Sequence, residues 1–211
     1  MKLFKLFVLA AFFQSAQAQV KVTMLDKKSI PASIHYVGNI INASRYTDKE
    51  GEHIIITTET GEVDATDIVD DKGKVIPGFT KADLYAYNYK INGNKQILSW
   101  QMHDFAITCP VHVTANYIPK TFAITDLNKD GIAEVWLMYI IGCRGDPSPT
   151  SMKIIMHEGV KKYAVRGNSR IAASGKNYRG GEYKLDYTFN HGVEAFRQYA
   201  VQLWKKNMFE N

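Results

Sequence analysis

Leu84 to Ile91 (LYAYNYKI) alternates in side-chain character and runs straight into Asn92-Gly93, with Lys95 to Phe105 (KQILSWQMHDF) following. Asn-Gly supplies the positive backbone angles of a two-residue hairpin turn, and no short signal for paired antiparallel strands is stronger. A chain with this feature is committed to an antiparallel sheet, and the rest of the sequence repeats the theme. Glu52 to Thr60 (EHIIITTET) is β-branched and stops at Gly61. Thr121 to Thr125 leads into a loop, and Glu134 to Ile141 (EVWLMYII) leaves it as a buried strand. Met152 to His157 and Lys161 to Arg166 flank Glu158-Gly159-Val160 as a further hairpin. Gly61 to Gly78 lies outside this pattern; its acids (Glu62, Asp64, Asp67, Asp70, Asp71) have no fixed ligand spacing and read as a solvated loop.

The period changes near the end. Phe196, Tyr199, Ala200, Leu203 and Trp204 stand at i, i+3, i+4, i+7 and i+8, one face of a helix expected over about Gly192 to Lys206. Lys205 and Lys206 complement the dipole of its last turn. No repeat, Pro-rich linker or low-complexity segment interrupts the chain. The expected fold is a single α+β domain over 19–211, mostly an antiparallel sheet built as a meander of hairpins, closed by a C-terminal amphipathic helix.

Residues 1–18 carry the three parts of a secretory signal peptide. Lys2 and Lys5 form the basic region, Leu6 to Phe13 the apolar run, and Ala16-Gln17-Ala18 the small-x-small site, so cleavage is expected before Gln19. The apolar run is too short to span a bilayer, which takes about 20 residues, and the mature chain has no transmembrane segment by this reading. The expectation is export, to the periplasm, the outer surface or the medium. Of 211 residues, removal of the first 18 leaves 193, enough to bury a core without depending on staples.

The formal charge then falls from +5 to +3, distributed unevenly. Gln19 to Gly159 holds 14 basic and 17 acidic residues, whereas Val160 to Asn211 holds 10 and 4. A basic C-terminal quarter reads either as a solvated face or as one turned toward phosphates or acidic sugars. Cys109 and Cys143 form an even pair, which in an oxidising compartment reads as a disulfide.

One motif carries chemistry. In Asp126-Leu-Asn128-Lys-Asp130-Gly131-Ile132-Ala-Glu134, side-chain oxygens at alternate positions followed by Gly let a loop wrap a hard cation, with the Ile132 carbonyl facing it. The expected ligands of a structural Ca²⁺ are Asp126, Asn128, Asp130, Ile132 and Glu134; the competing reading is an Asx-rich turn with no metal. An EF-hand would place its bidentate Glu where Leu137 stands, and a strand rather than a helix follows. Glu134 at the ninth position instead resembles the calcium loop of FG-GAP-type hairpins. A single copy brings the loop and not the propeller fold.

No G-x-S-x-G elbow, H-E-x-x-H helix or Walker loop is present, and the six histidines show no ligand spacing. His103-Asp104 fails as a relay because adjacent strand residues face opposite ways. Tyr85, Tyr87 and Tyr89 share one strand face, a stripe suited either to stacking on sugar rings or to a half-buried sheet face.

Four stretches carry a wider resemblance: Ile54 to Gly61 (IIITTETG), Asp83 to Tyr87 (DLYAY), Ile124 to Tyr139 (ITDLNKDGIAEVWLMY) and Met152 to Met156 (MKIIM). With them the chain resembles a small secreted family of Gram-negative bacteria known as surface polysaccharide biosynthesis proteins. The resemblance implies a cell-envelope protein tied to synthesis or display of surface polysaccharide, and it brings no catalytic residue. The partner expected is surface polysaccharide or an envelope protein, not nucleic acid. Two other classes stay open: a periplasmic lysozyme-inhibitor-like protein, and a glycan-active envelope enzyme, for which Glu59, Asp104 and Glu158 are the candidate acids.

Overall fold

The computed structural model describes residues 20–175 and 177–210; the expected signal peptide and its cleavage site lie outside the described residues. Two antiparallel sheets stack face to face. In the first, β1 (Lys21–Met24), β2 (Asn39–Asp48), β3 (Gly51–Glu59), β5 (Thr80–Asn92) and β6 (Lys95–Cys109) lie side by side, with β4 (Val63–Asp64) also on β5. The β5–β6 hairpin turns at Gly93-Asn94, one residue later than the expected Asn-Gly turn, because Asn92 still pairs with Lys95; Gly93 has a φ of 59°.

In the second sheet the order is β14 (Tyr183–Leu185), β11 (Lys161–Asn168), β10 (Ser151–Glu158), β9 (Glu134–Arg144) and β7 (His112–Tyr117). β8 (Ala123–Thr125) continues the β7 edge along the first residues of β9. A small ribbon, β12 (Arg170–Ala172) with β13 (Tyr178–Gly180), stands apart.

Mostly antiparallel strand content with a C-terminal helix matches the expectation. The strands divide into two sheets, and between β6 and β7 the chain passes from the first to the second. Ile55, Leu84, Ala86, Trp100 and Met102 then face Val113, Ala115, Val135, Leu137 and Ile155 in a shared core. Each large apolar side chain buried there contributes about 1.5–3 kcal/mol. The Cys109–Cys143 disulfide, Cα atoms 5.4 Å apart, ties the end of β6 to β9 across the crossover.

Each sheet has a second cover. α1 (Tyr187–Asn190) and α2 (Glu194–Asn207) close the outer face of the second sheet, with Phe189, Phe196, Ala200 and Trp204 on Trp136, Met138, Ile154 and Met156. Asp186 caps α1 by accepting from Phe189 N at 3.0 Å, and Trp204 Nε1 donates to Gly181 O at 3.1 Å. On the first sheet, Leu25, Ile30, Ile34 and Tyr36 cross the outer face above Ile54, Ile56, Tyr87 and Tyr89.

Candidate cation-binding loop and its surroundings

The turn between β8 and β9 is built by its own side chains. Asp130 N donates to Asn128 Oδ1 at 3.1 Å, and Ile132 N donates to Asp130 Oδ1 at 2.8 Å. These Asx turns let Lys129 and Gly131 adopt φ of 59° and 86°. Asn128 Nδ2 donates to Asp130 Oδ2 at 3.0 Å and to Glu158 Oε1 at 2.9 Å. Glu158 stands opposite Glu134 in the β9–β10 register, and Tyr163 donates its hydroxyl to the other Glu158 oxygen.

Glu134 is wholly buried. It accepts from Leu127 N at 3.0 Å and from Thr125 Oγ1 at 2.6 Å, while Thr125 Oγ1 accepts from Trp136 Nε1 at 2.9 Å. Burial pushes its carboxyl above the usual range; the Thr125 and Leu127 bonds oppose this, and the charges of Asp126 and Glu158 add to it. Asp126 Oδ1 is buried with no hydrogen-bond partner. Asp126, Asn128, Asp130 and Ile132 thus share one turn, with Glu134 directed to its inner side. Among the described residues, no three His, Cys, Asp or Glu side chains are grouped closely enough to hold a metal ion by themselves.

The loop also joins the two sheets. Lys49 N, in the β2–β3 turn, donates to Gly131 O at 2.7 Å, and Ala133 N donates to Asp48 Oδ2 at 3.0 Å. Burial alone would raise the Asp48 carboxyl, but His53 and the Ala133 and Glu50 amides hold it below the ordinary value. His53 Nε2 is 3.5 Å from Asp48 Oδ1, too long for a well-formed hydrogen bond.

The tyrosine stripe is a correction. Tyr87 and Tyr89 are only 5% and 8% exposed, because residues 25–41 lie across them. Tyr87 Oη accepts from Val37 N at 3.2 Å, and Tyr89 Oη donates to His35 O at 2.9 Å. Tyr85 is half-buried and stacks on His103 of β6, centroids 4.3 Å apart. The exposed aromatic surface therefore crosses from Tyr85 of β5 to His103 of β6 and continues along β6 to Phe105, rather than along β5. The period-two pattern found the face; nothing in it showed that the N-terminal segment covers two of the three rings.

The acids considered for catalysis hold separate structural partners. Glu59 accepts from Tyr117 N. Asp104 Oδ2 accepts from Lys153 Nζ at 2.6 Å and from the Tyr139 hydroxyl at 2.7 Å. His103 faces the opposite way and meets Asp83 at 2.6 Å. On the outer face of the second sheet, a cleft of about 530 Å³ lies between β7 and the residues after α2, lined by Thr114, Asn116, Ile140, Arg144, Met152 and Phe209. An Arg144–Glu210 ion pair of 2.6 Å joins the two sides. Its walls come from distant stretches of chain, which no local motif could reveal.

Compared with known proteins, the chain matches no family model, no curated protein and no solved structure.

Proposed function

We propose that this chain is an exported, non-catalytic cell-envelope domain that binds glycan or an envelope partner in the service of surface polysaccharide, with one structural Ca²⁺ at Asp126–Glu134. The observation that carries the calcium is the crowding of carboxyl groups: Asp126 has a buried oxygen without a donor, beside a fully buried Glu134 whose charge Asp126 and Glu158 oppose. A hard divalent cation relieves that crowding, with Asp126, Asn128, Asp130, the Ile132 carbonyl and Glu134 as donors. Glu134 has to turn from Leu127 and Thr125 to reach it. The cation's part is to fix the turn onto which the β2–β3 hairpin docks.

A binding role fits Glu59, Asp104 and Glu158, each of which is held by its own set of structural donors. The polysaccharide assignment rests on the resemblance in the four stretches quoted above. The test is binding of purified mature protein to surface polysaccharide extracted from its own host, in calcium and then in chelator. Saturable binding that chelation abolishes is the expected result. Folded, calcium-loaded protein that binds nothing overturns the glycan role.

A further inference from the structure

The second sheet is wider than the part of it that the first sheet covers. Ile155 of β10 and Ala164 of β11 face the shared core, while Ile154, Val165 and Leu185 face the helices. By the alternation of strand side chains, Lys153, Arg166 and Lys184 lie on the side facing the first sheet. The register sets these three opposite one another, Lys153 with Arg166 and Arg166 with Lys184. Lys162, opposite His157, adds a fourth cation on that side. Lys153 is paired to Asp104 of β6, and among the described residues no strand bonds the other edge of β6. Lys162, Arg166 and Lys184 are exposed, and among the described residues no ion pair engages them.

We infer that this cationic shelf beside the open β6 edge is a docking surface for an acidic polysaccharide chain, an inference that rests on the glycan-binding reading. Charge complementarity sets the sign of the partner. Cations on adjacent strands, about 5 Å apart, form a row suited to charges that repeat along an extended chain. The acids nearby are otherwise engaged: Glu182 with Asn168, and Asp186 with Ala164 N, Thr188 and Phe189 N. The β6 edge adds backbone donors and acceptors, and Asp104 a carboxylate, for sugar hydroxyls. A bilayer surface or a nucleic acid backbone would engage the cations but has less use for those groups.

The test compares carboxymethyl-dextran with plain dextran, which differ in charge on one backbone, using the disulfide-bonded mature protein in calcium. Wild-type protein should bind the carboxymethylated chain, salt-sensitively, and not the neutral one. The Arg166→Gln/Lys184→Gln variant should bind about tenfold more weakly. Lys205→Gln/Lys206→Gln, which removes two exposed cations from α2, should stay within about twofold of wild type. Equal weakening by both pairs, absence of binding to carboxymethyl-dextran, or displacement of it by lower concentrations of phosphatidylglycerol vesicles or single-stranded DNA overturns the shelf. Host polysaccharide separates the two readings. If the shelf variant binds it as wild type does, the shelf is wrong and glycan binding stands; if wild type binds neither host polysaccharide nor carboxymethyl-dextran, both readings fall.

Discussion

The imidazole of His157 stacks on the indole of Trp100 with centroids 4.0 Å apart and planes 11° from parallel, one ring from each sheet. His157 is 6% exposed, and neither of its ring nitrogens has a hydrogen-bond partner. Burial, reinforced by the positive charge of Lys162, pulls its pKa down to about 4. The unfolded chain takes up that proton near 6.5, so the unfolded state binds more protons between the two values. The stabilisation is therefore complete above pH 6.5 and is lost as pH falls toward 4, by about 3 kcal/mol. Urea denaturation at pH 7, 5.5 and 4 should show this loss in wild type and a much flatter profile in His157→Gln. Parallel profiles for the two proteins would remove the histidine from the account.

The disulfide acts at a different place. Cys143 of β9 stands opposite Val113 of β7, so the Cys109–Cys143 bond fastens the start of the crossover to β9, the strand beside the one it has just reached. Its partners are 34 residues apart, and the chain-entropy relation gives a stabilisation of about 3.8 kcal/mol. The Cys109→Ala/Cys143→Ala variant should lose about 2–4 kcal/mol in denaturant titration, and dithiothreitol should lower the melting temperature of wild type alone. An unchanged midpoint would mean that the sheets hold the crossover without it.

Where turn chemistry and side-chain period act locally, the sequence was legible. Asn92-Gly93 located the β5–β6 hairpin, Glu158-Gly159-Val160 the β10–β11 hairpin, and the Phe196/Ala200/Trp204 spacing the helix. β2 went unread because its alternation is interrupted by a bulge between Ile40 and Asn42, and β7 because its six residues carry no flanking hairpin signal. The division into two sheets follows from which faces cover each other, and that is set by long-range packing rather than by any strand's pattern. Tyr87 and Tyr89 illustrate the same gap at a single position: alternation placed them on one face, while Ile34 and Tyr36, some fifty residues earlier, decide that the face is covered. In the cation loop, the residue spacing predicted the turn, but the approach of Glu158 depends on pairing between β9 and β10.

Asp104 links the sheets by polar rather than apolar contact. Burial alone would raise its carboxyl, yet the bonds from Lys153 and Tyr139 bring it below the usual carboxylate value. Its stabilisation is present above the unfolded value and is lost as pH falls through the lower folded one, beneath the window governed by His157. Asp104→Ala leaves the Tyr139 hydroxyl and the Lys153 ammonium without their acceptor, at a cost of about 2–3 kcal/mol. Adding Lys153→Met should recover part of that cost. A double-mutant cycle by denaturant titration measures the coupling, and strictly additive effects would show that the pair is independent at this partly buried site.

The calcium proposal makes a prediction in which the sign of two effects differs. A site with a Kd of about 0.1 mM, in the range of extracellular modules, gives about 1.8 kcal/mol of added stability in 2 mM calcium. Wild type should therefore melt at a higher temperature in calcium than in chelator, and magnesium should not substitute, because a loop of this kind does not offer its tighter octahedral geometry. Asp126→Asn removes a ligand charge that also opposes Glu134. Without calcium the variant should be as stable as wild type or slightly more so, since the crowding is reduced; with calcium it should gain almost nothing. Thermal melts of both proteins in calcium, magnesium and chelator check all of these together. A variant that loses stability in chelator would mean that Asp126 has a structural partner of its own, and a wild type indifferent to calcium would leave the turn held by its Asx bonds alone.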